Sequence, residues 1–540
     1  MKSESYKSKL FFILLSLLVA CDMDRYPLTS FAEDNFFTSE ENARLALVSL
    51  YRGDLKYNGA EYSPSDWWGY GSNVLLDGVT DIGYDRRGFN NAIGKLTSGD
   101  LIANNGNSTA LYQKAYKKIS ACNRFLASID QVGTSDAIEG MKAEARFIRA
   151  CQYFYLASYF HDVPLVKEVL TLDEANIVSK TLQADILKFI TDEFATIADI
   201  LPHQKDLPST NLGHATAQAA LVFLARTQLL TKDYVAASAS CKKIIDWGEN
   251  ELYANYQTLF YPSEKTCSEH IFSTQYVDNL AGSGLPQHAF PAKDGGWCLV
   301  NATSILFESY DFLDGTPFSY DDPQFNPNNF GDNRDPRLDY TLIYDGSIFR
   351  GATFITNPES SSPDKFGSGQ VTQTGYLLRK YFDESWSGNL SSYGGIVPIA
   401  RYADVLLMYL EAELEAGNSI NQSLLDQTIN AVRERVNMPK ITDTNPKTLR
   451  EKIRKERMVE FAFEGLRLWD LFRWGIAEER LNIDMYGSPV YVSDQSLIKK
   501  KDGQIDPYNR WYVNTRSFQA GQEVWPIPQS EQNINPNLRD

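Results

Sequence analysis

Two sets of residues in this 540-residue chain carry side chains suited to chemistry. In SDWWGYG, residues 65–71, two tryptophans and a tyrosine crowd a glycine-bracketed loop, where adjacent side chains diverge. Tryptophan and tyrosine are flat, rigid and apolar with one polar handle, which suits the apolar face of a pyranose ring flanked by hydroxyls. In LREKIRKERMVEFAFEGLRLWDLFRWG, residues 449–475, Glu456, Glu460 and Glu464 recur every four residues. On an isolated helix such spacing costs about 0.2–0.5 kcal/mol per like-charged pair. Two carboxylates about 5–10 Å apart across a sugar-sized cleft would serve glycoside hydrolysis. Here Arg457, Arg467 and Arg473 interleave with the glutamates and with Asp470, inside aromatic helical packing. The pattern therefore predicts a salt-bridge network tying this helix pair to its neighbours, and no catalytic acid pair.

No H-E-x-x-H, G-x-S-x-G, G-x-x-x-x-G-K-[ST] or strand-to-helix G-x-G-x-x-G is present. The five histidines, at 161, 203, 214, 270 and 288, lack metal-ligand spacing. DFLDGT at 311–316 does not fit an EF-hand loop and reads as a polar turn. Neither metal nor cofactor is expected, and the chain reads as a binder and not an enzyme.

The elements that must position these residues are mainly helical. In ATAQAALVFLARTQLLTKDYVAASASCKKIIDWG, residues 215–248, Ala217, Leu221 and Leu224 share a stripe, and Tyr234, Ala237, Cys241 and Ile244 form another before Gly248. Helix, turn and helix in 34 residues is the tetratricopeptide period. Ala143, Phe147, Ala150, Phe154 and Ala157 predict a further helix, and Tyr402, Leu406, Tyr409 and Glu413 another that closes at Gly417. The expected fold is a mainly α, tetratricopeptide-like scaffold built from about 30–55, 107–250 and 396–480. Loop-rich insertions at about 55–107 and 250–395, the second with short strands such as DYTLIYD and GYLLRKYF, are expected to face the ligand. No linker divides residues 21–540 into separate domains.

The formal charge of −17 and the absence of a basic run argue against nucleic acid, whose binding needs lysine and arginine against phosphate. A strongly acidic polysaccharide is repelled on average, unless a local basic patch overcomes the net charge. Lys2, Lys7 and Lys9 precede an apolar run from Leu10 to Ala20, the layout of an export signal. That run is too short to span a bilayer, which takes roughly 20 residues. Leu18, Val19 and Ala20 before Cys21 form an L-x-A-C box resembling the bacterial lipoprotein signal. Residues 1–20 are then a signal peptide and Cys21 the lipidated anchor, since acyl chains contribute about 0.8 kcal/mol per buried methylene. The remaining cysteines, 122, 151, 241, 267 and 298, form no C-x-x-C pair and no disulfide framework; a Cys267–Cys298 pairing stays open.

ERMVEFAFEGLRLWDLFRWG resembles the C-terminal signature of the SusD/RagB family of outer-membrane nutrient-binding lipoproteins. EARFIRACQYFYLASYFHDVPLV at 144–166, NRDPRLDYT at 333–341, PIARYADVLLMYLEA at 398–412 and VWPIPQSEQNINPNL at 524–538 resemble it in order along the chain. The resemblance implies tetratricopeptide-like units under a variable looped face, a lipid anchor on the outer membrane of a Gram-negative cell, and a TonB-dependent barrel of the SusC type as partner. Its implied function is capture of oligosaccharides or polysaccharides for that transporter, with peptide binding or scaffolding as the alternative and glycoside hydrolysis further behind. Carried onto this chain, the family's aromatic platform falls on Trp67, Trp68 and Tyr70, then on Trp297 in DGGWCL. Asn73, Asp81 and Arg86 are the accompanying hydrogen-bond candidates. Packing into the helical core competes with binding for one of Trp67 and Trp68, and equally for Trp297.

Overall fold

The computed structural model describes residues 36–52 and 66–539, so the export signal and Cys21 lie outside the described residues. Helices α1 (Glu40–Arg52), α2 (Tyr70–Asp77), α3 (Gly106–Ser128), α4 (Asp136–Tyr159), α5 (Gln183–Ala198), α6 (Ala217–Leu230), α7 (Tyr234–Trp247) and α8 (Tyr402–Glu415) build the frame. From α3 to α8 each helix packs on the next in chain order, with α1 laid against α3 and α4. This is the solenoid arrangement, in which a unit buries its apolar stripe only against its neighbours.

Local chemistry sets the helix ends. The Asn105 side chain accepts from the amides of Asn107 and Ser108 to start α3, Ser135 accepts from Ile138 to start α4, and Thr216 and Asp233 do the same for α6 and α7. Gly248 closes α7 at φ 61°, a left-handed position that favours glycine. Phe147, Phe154, Phe194 and Phe223 meet in the frame's centre, with Phe147 and Phe223 edge to face at 5.7 Å.

The long insertion leaves and rejoins the frame through one antiparallel pair, β2 (His270–Gln275) and β6 (Ile396–Arg401), paired from His270↔Arg401 to Gln275↔Ile396 with an irregularity at Phe272. Between them lie β3 (Val300–Ala302), β4 (Leu342–Ile343) and β5 (Leu377–Leu378), which with β1 (Gly83–Asp85) form a sheet of order β1-β3-β5-β4. DYTLIYD is therefore mostly a helical turn, Arg337–Thr341, followed by two ladder residues, and GYLLRKYF contributes only Leu377 and Leu378. The two loop-rich stretches meet where β1 pairs with β3, Gly83 opposite Ala302 and Asp85 opposite Val300.

The glutamate-rich segment is two helices, α9 (Pro446–Glu460) and α10 (Arg467–Arg473), separated by a turn with Phe463 at φ 61° and Gly465 at φ 79°. A side chain at Gly465 would place its Cβ 2.8 Å from the Asn73 Cα, so glycine permits both the turn and the approach of α2. The predicted ion-pair network exists, but the glutamates take partners from far along the chain. Arg337 binds Glu456 at 2.6 Å and Glu460 at 3.0 Å, Arg401 binds Glu269, Glu460 and Glu464 at 2.7–2.8 Å, and Lys380 binds Glu464 at 2.6 Å. Arg457 instead holds Asp404 and Asp470. Arg337, Glu269 and Lys380 belong to the insertion, so this buried network fastens the loop layer to the frame.

Burial alone would raise the Glu460 carboxyl, yet Arg435, Arg401 and Arg337 outweigh it and hold it well below the usual carboxylate range. A glycosidase acid requires the opposite shift, so these glutamates are structural. At DFLDGT, Asp314 accepts from the Thr316 amide at 2.9 Å with Gly315 at φ 85°, a polar turn. Among the described residues no group of three or more His, Cys, Asp or Glu side chains is placed to hold a metal, and no helix is long and apolar enough to cross a membrane. Cys267 and Cys298 are free thiols, so the pairing left open by the sequence does not form.

Candidate functional site

The aromatic platform expected at residues 67–70 is not at the surface. Trp67 is 2% exposed and Trp68 4%. Trp67 stacks on Tyr155 at 4.9 Å and on Tyr159 at 5.0 Å, while Trp68 meets Phe272 edge-on at 5.1 Å and lies under the Lys118 ammonium at 4.4 Å. Tyr70 is fully buried and meets Tyr276 edge-on at 6.2 Å. The adjacent side chains do diverge, but the segment runs between two packed layers, so both directions lead into core. Asn73 is spent on the Gly69 carbonyl at 3.0 Å, and Asp81 on a bidentate pair with Arg467 at 2.8 and 2.6 Å. These five residues join α2 to α4 and to the C-terminal signature and present nothing to solvent.

Arg86 and Trp297 have a different setting, and the β1–β3 ladder brings them together. Beyond Asp85↔Val300 the ladder continues as the Arg86 amide donates to the Leu299 carbonyl at 3.0 Å, which sets Arg86 two positions from Trp297 across the pair. The Trp297 amide donates to the Gln287 carbonyl at 2.7 Å, and Leu299 donates to that of His288 at 2.6 Å. These bonds fold 287–299 into a tight loop. It needs Gly296, where any Cβ would lie 2.1 Å from the Phe290 carbonyl oxygen. Trp297 stacks on the fully buried His288, rings 5.6 Å apart and 29° from parallel, and stays half-buried itself.

Burial, aided by the Arg87 charge, drives His288 down to about 3, so it is a neutral aromatic backing for the indole. Asp85 accepts from Nε and Nη2 of Arg87 at 2.9 and 2.8 Å, one bidentate edge. Arg86 differs: among the described residues its half-buried side chain makes no ion pair, and its buried Nε makes no hydrogen bond. Burial pulls its pKa down, the mark of a cation whose lost hydration is not replaced.

A third residue on this rim escapes the motif reading. Trp386, half-buried, meets Tyr393 edge-on at 4.8 Å and donates from Nε1 to Asp278 at 3.3 Å. Its loop adjoins the Trp297 loop through Gln287, whose amide donates to the Leu390 carbonyl at 3.2 Å. The signal in the sequence is a tryptophan in ESWSGNLSS, a run otherwise polar or small apart from Leu390.

A separate cleft of about 290 Å³ between the α6 N-terminus and β2 is lined by Lys205, His214, Glu249, Lys265 and Gln275. Its charges are committed to the protein: Glu249 to His203 and Lys205, His214 to Glu144, and Lys265 to the Tyr276 carbonyl. The rim, by contrast, combines two part-exposed indoles with a guanidinium whose buried Nε makes no hydrogen bond among the described residues.

The comparisons with known proteins agree along the chain. The model of the SusD family matches residues 268–540, and a second, described as starch-binding associating with outer membrane, matches residues 85–229. The chain belongs to the SusD family. A SusD-like protein of Bacteroides ovatus is 25% identical over 98% of this chain and 93% of its own. Among solved structures, a SusD-like carbohydrate binding protein from Bacteroides fragilis is 49% identical with a TM-score of 0.90, covering 93% of this chain and 100% of that one. A second SusD-like protein of the same organism, 24% identical with a TM-score of 0.78, shares the fold over 95% of this chain and 98% of its own. Both family matches reach the rim: the first contains Trp297 and Trp386, the second Arg86.

Proposed function

We propose that this SusD-family protein captures a glycan at the rim formed by Trp297, Trp386 and Arg86. One observation carries the reading: a part-exposed indole is stacked on a neutral buried imidazole, on the same strand ladder as a guanidinium whose buried Nε makes no hydrogen bond among the described residues. An indole face packs against the C–H face of a sugar ring at little entropic cost, and the guanidinium takes the polar groups at the ring edge. The 49%-identical relative named as a carbohydrate binding protein and the starch-binding description of one family model support the same class of ligand.

A few such contacts correspond to micromolar to millimolar affinity, roughly −8 to −4 kcal/mol. That range allows release to a transporter. In this reading Cys21 carries the lipid anchor, the protein stands on the outer membrane facing the exterior, and the glycan passes to a SusC-type TonB-dependent barrel. Tethering beside the barrel raises the effective ligand concentration without further contacts. The saturated glutamate network supports binding without hydrolysis. Affinity electrophoresis of the purified protein through gels containing one polysaccharide each is the test. Retardation by a glycan, lost in Trp297→Ala, is expected; migration unchanged by every glycan, with heat evolved on titrating a peptide mixture, overturns the reading in favour of peptide uptake.

A further inference from the structure

We infer that the rim selects glycans bearing carboxylate or sulfate groups over neutral ones, an inference that rests on the glycan reading above. The chain's net charge of −17 makes such ligands improbable at first sight. Bulk charge, however, is screened beyond about 8 Å at physiological ionic strength, and the contact itself is decided by the nearest groups.

The acids nearest Arg86 are already engaged. Asp85 is held by Arg87 through both oxygens and also accepts from the Arg87 amide at 2.9 Å. Asp364, whose charge acts on the neighbouring Cys298 thiol, accepts from the amides of Ala292 at 2.6 Å and Lys293 at 3.3 Å. Asp294 is paired with Lys293 at 2.8 Å. The Cys298 thiol beside Arg86 is pushed up to about 12 by burial and stays neutral, and the neutral His288 supplies no charge either. Arg86 is thus a part-desolvated cation among acids that are bound elsewhere.

A sugar hydroxyl satisfies one of its N–H groups with an ordinary hydrogen bond. A carboxylate or sulfate takes two at once in a charge-assisted fork and also restores the compensation that burial removed. The difference between a neutral and a charged hydrogen bond corresponds to roughly tenfold in affinity. The indole is indifferent to that choice, since uronate and neutral rings offer the same C–H face. Trp297 therefore supplies sugar binding in general and Arg86 the discrimination.

The test titrates oligogalacturonate and a sulfated galactan oligosaccharide into the purified protein, each beside its own neutral form made by methyl esterification or desulfation, at low and high salt. The expected result is at least tenfold tighter binding of one charged form than of its neutral counterpart, with the ratio shrinking at high salt. Which of the two pairs shows the ratio separates a carboxylate ligand from a sulfate. Arg86→Gln should collapse the ratio, weakening the charged ligand at least tenfold and the neutral one less than threefold, while Arg86→Lys keeps part of it. A thermal melt of each variant reports folding. Equal binding of charged and neutral forms, or a ratio that survives in Arg86→Gln, overturns the inference and leaves the glycan reading standing. Binding of none of the four ligands by a protein that a neutral glycan retards in gels overturns the inference alone; absence of retardation by every glycan overturns both.

Discussion

Two glycine-flanked aromatic loops, SDWWGYG and the stretch from Gln287 to Leu299, read alike in the sequence and do opposite work in the fold. Trp67 and Trp68 are almost fully buried, whereas Trp297 is part-exposed. What separates them is the chain that covers each. The first lies beneath α4 on one side and the C-terminal segment on the other, where Trp525 stacks 6.2 Å from Trp67 and the Trp525 amide donates to the Tyr159 carbonyl at 2.7 Å. The second rests on His288, at the end of the β1–β3 ladder, and keeps part of its indole exposed among the described residues. An aromatic cluster becomes a platform only where distant sequence leaves one face uncovered.

The comparison breaks most readily at Trp67. Trp67→Ala removes a stacked indole from the core and should lower stability by about 3–5 kcal/mol, read as the denaturant midpoint. A variant of full stability that has lost glycan binding would return the platform to residues 67–70. Asp81→Asn should follow at about 3 kcal/mol, because it strands the buried Arg467 guanidinium without its carboxylate. The same measurement checks it, and again a stable protein with altered binding would contradict the assignment.

Periodicity made the frame legible. The stripes in 215–248 and from Tyr402 to Glu413 give α6, α7 and α8, with Gly248 closing α7, because a solenoid helix packs on its sequence neighbours and so writes its burial in local pattern. The rim was half legible. Arg86 and Trp297 are named by residue type, but nothing local says that Arg86 pairs across β1–β3, or that Asn73 and Asp81 are claimed by Gly69 and Arg467. The glutamate ladder shows the same limit. Its spacing announces a network, yet the partners Arg337, Lys380 and Arg401 stand 59 to 123 residues away in the chain. Trp386 was missed because a lone tryptophan among serine, glycine and asparagine forms no motif.

Acid should separate the frame from the rim. Burial pushes the Asp404 carboxyl up, but Arg226 and Arg457 outweigh it and bring it down to about 2. A carboxyl lower in the folded than in the unfolded chain adds stability above its unfolded value near about 4 and loses it as pH falls towards the folded value. For Asp404 the loss is about 2 kcal/mol, and Glu411, Glu460 and Glu464 shift in the same direction. The contribution of these four should hold between pH 7 and 5 and drop steeply from pH 4 to 2, while the buried Asp77 carboxyl, pushed up to about 8, adds a gain in stability as pH falls from 7 to 5. His288 stays neutral to about 3, so affinity for a sulfated or neutral glycan should be flat from pH 7 to 5. A binding step near pH 6 would mean that the imidazole behind Trp297 titrates, and would break the picture of a neutral backing.

The smallest effects sharpen the rim itself. Trp297→Ala should weaken glycan binding about tenfold, roughly 1.4 kcal/mol, with far less loss of stability than Trp67→Ala, because a part-exposed indole gives up less buried area. Trp386 sits on a separate loop, joined to the Trp297 loop through Gln287 and Leu390 and through Phe290 against Phe382, and its indole N–H is already spent on Asp278. It can offer a ring face but no hydrogen bond, so Trp386→Ala should cost about threefold, near 0.6 kcal/mol. Calorimetry with a short and a long oligosaccharide discriminates between arrangements. If both indoles grip one chain, the Trp386→Ala loss appears only with the longer ligand, which alone reaches across the two loops. An equal loss with the short ligand would place both rings against the same sugar and shrink the rim to a single subsite.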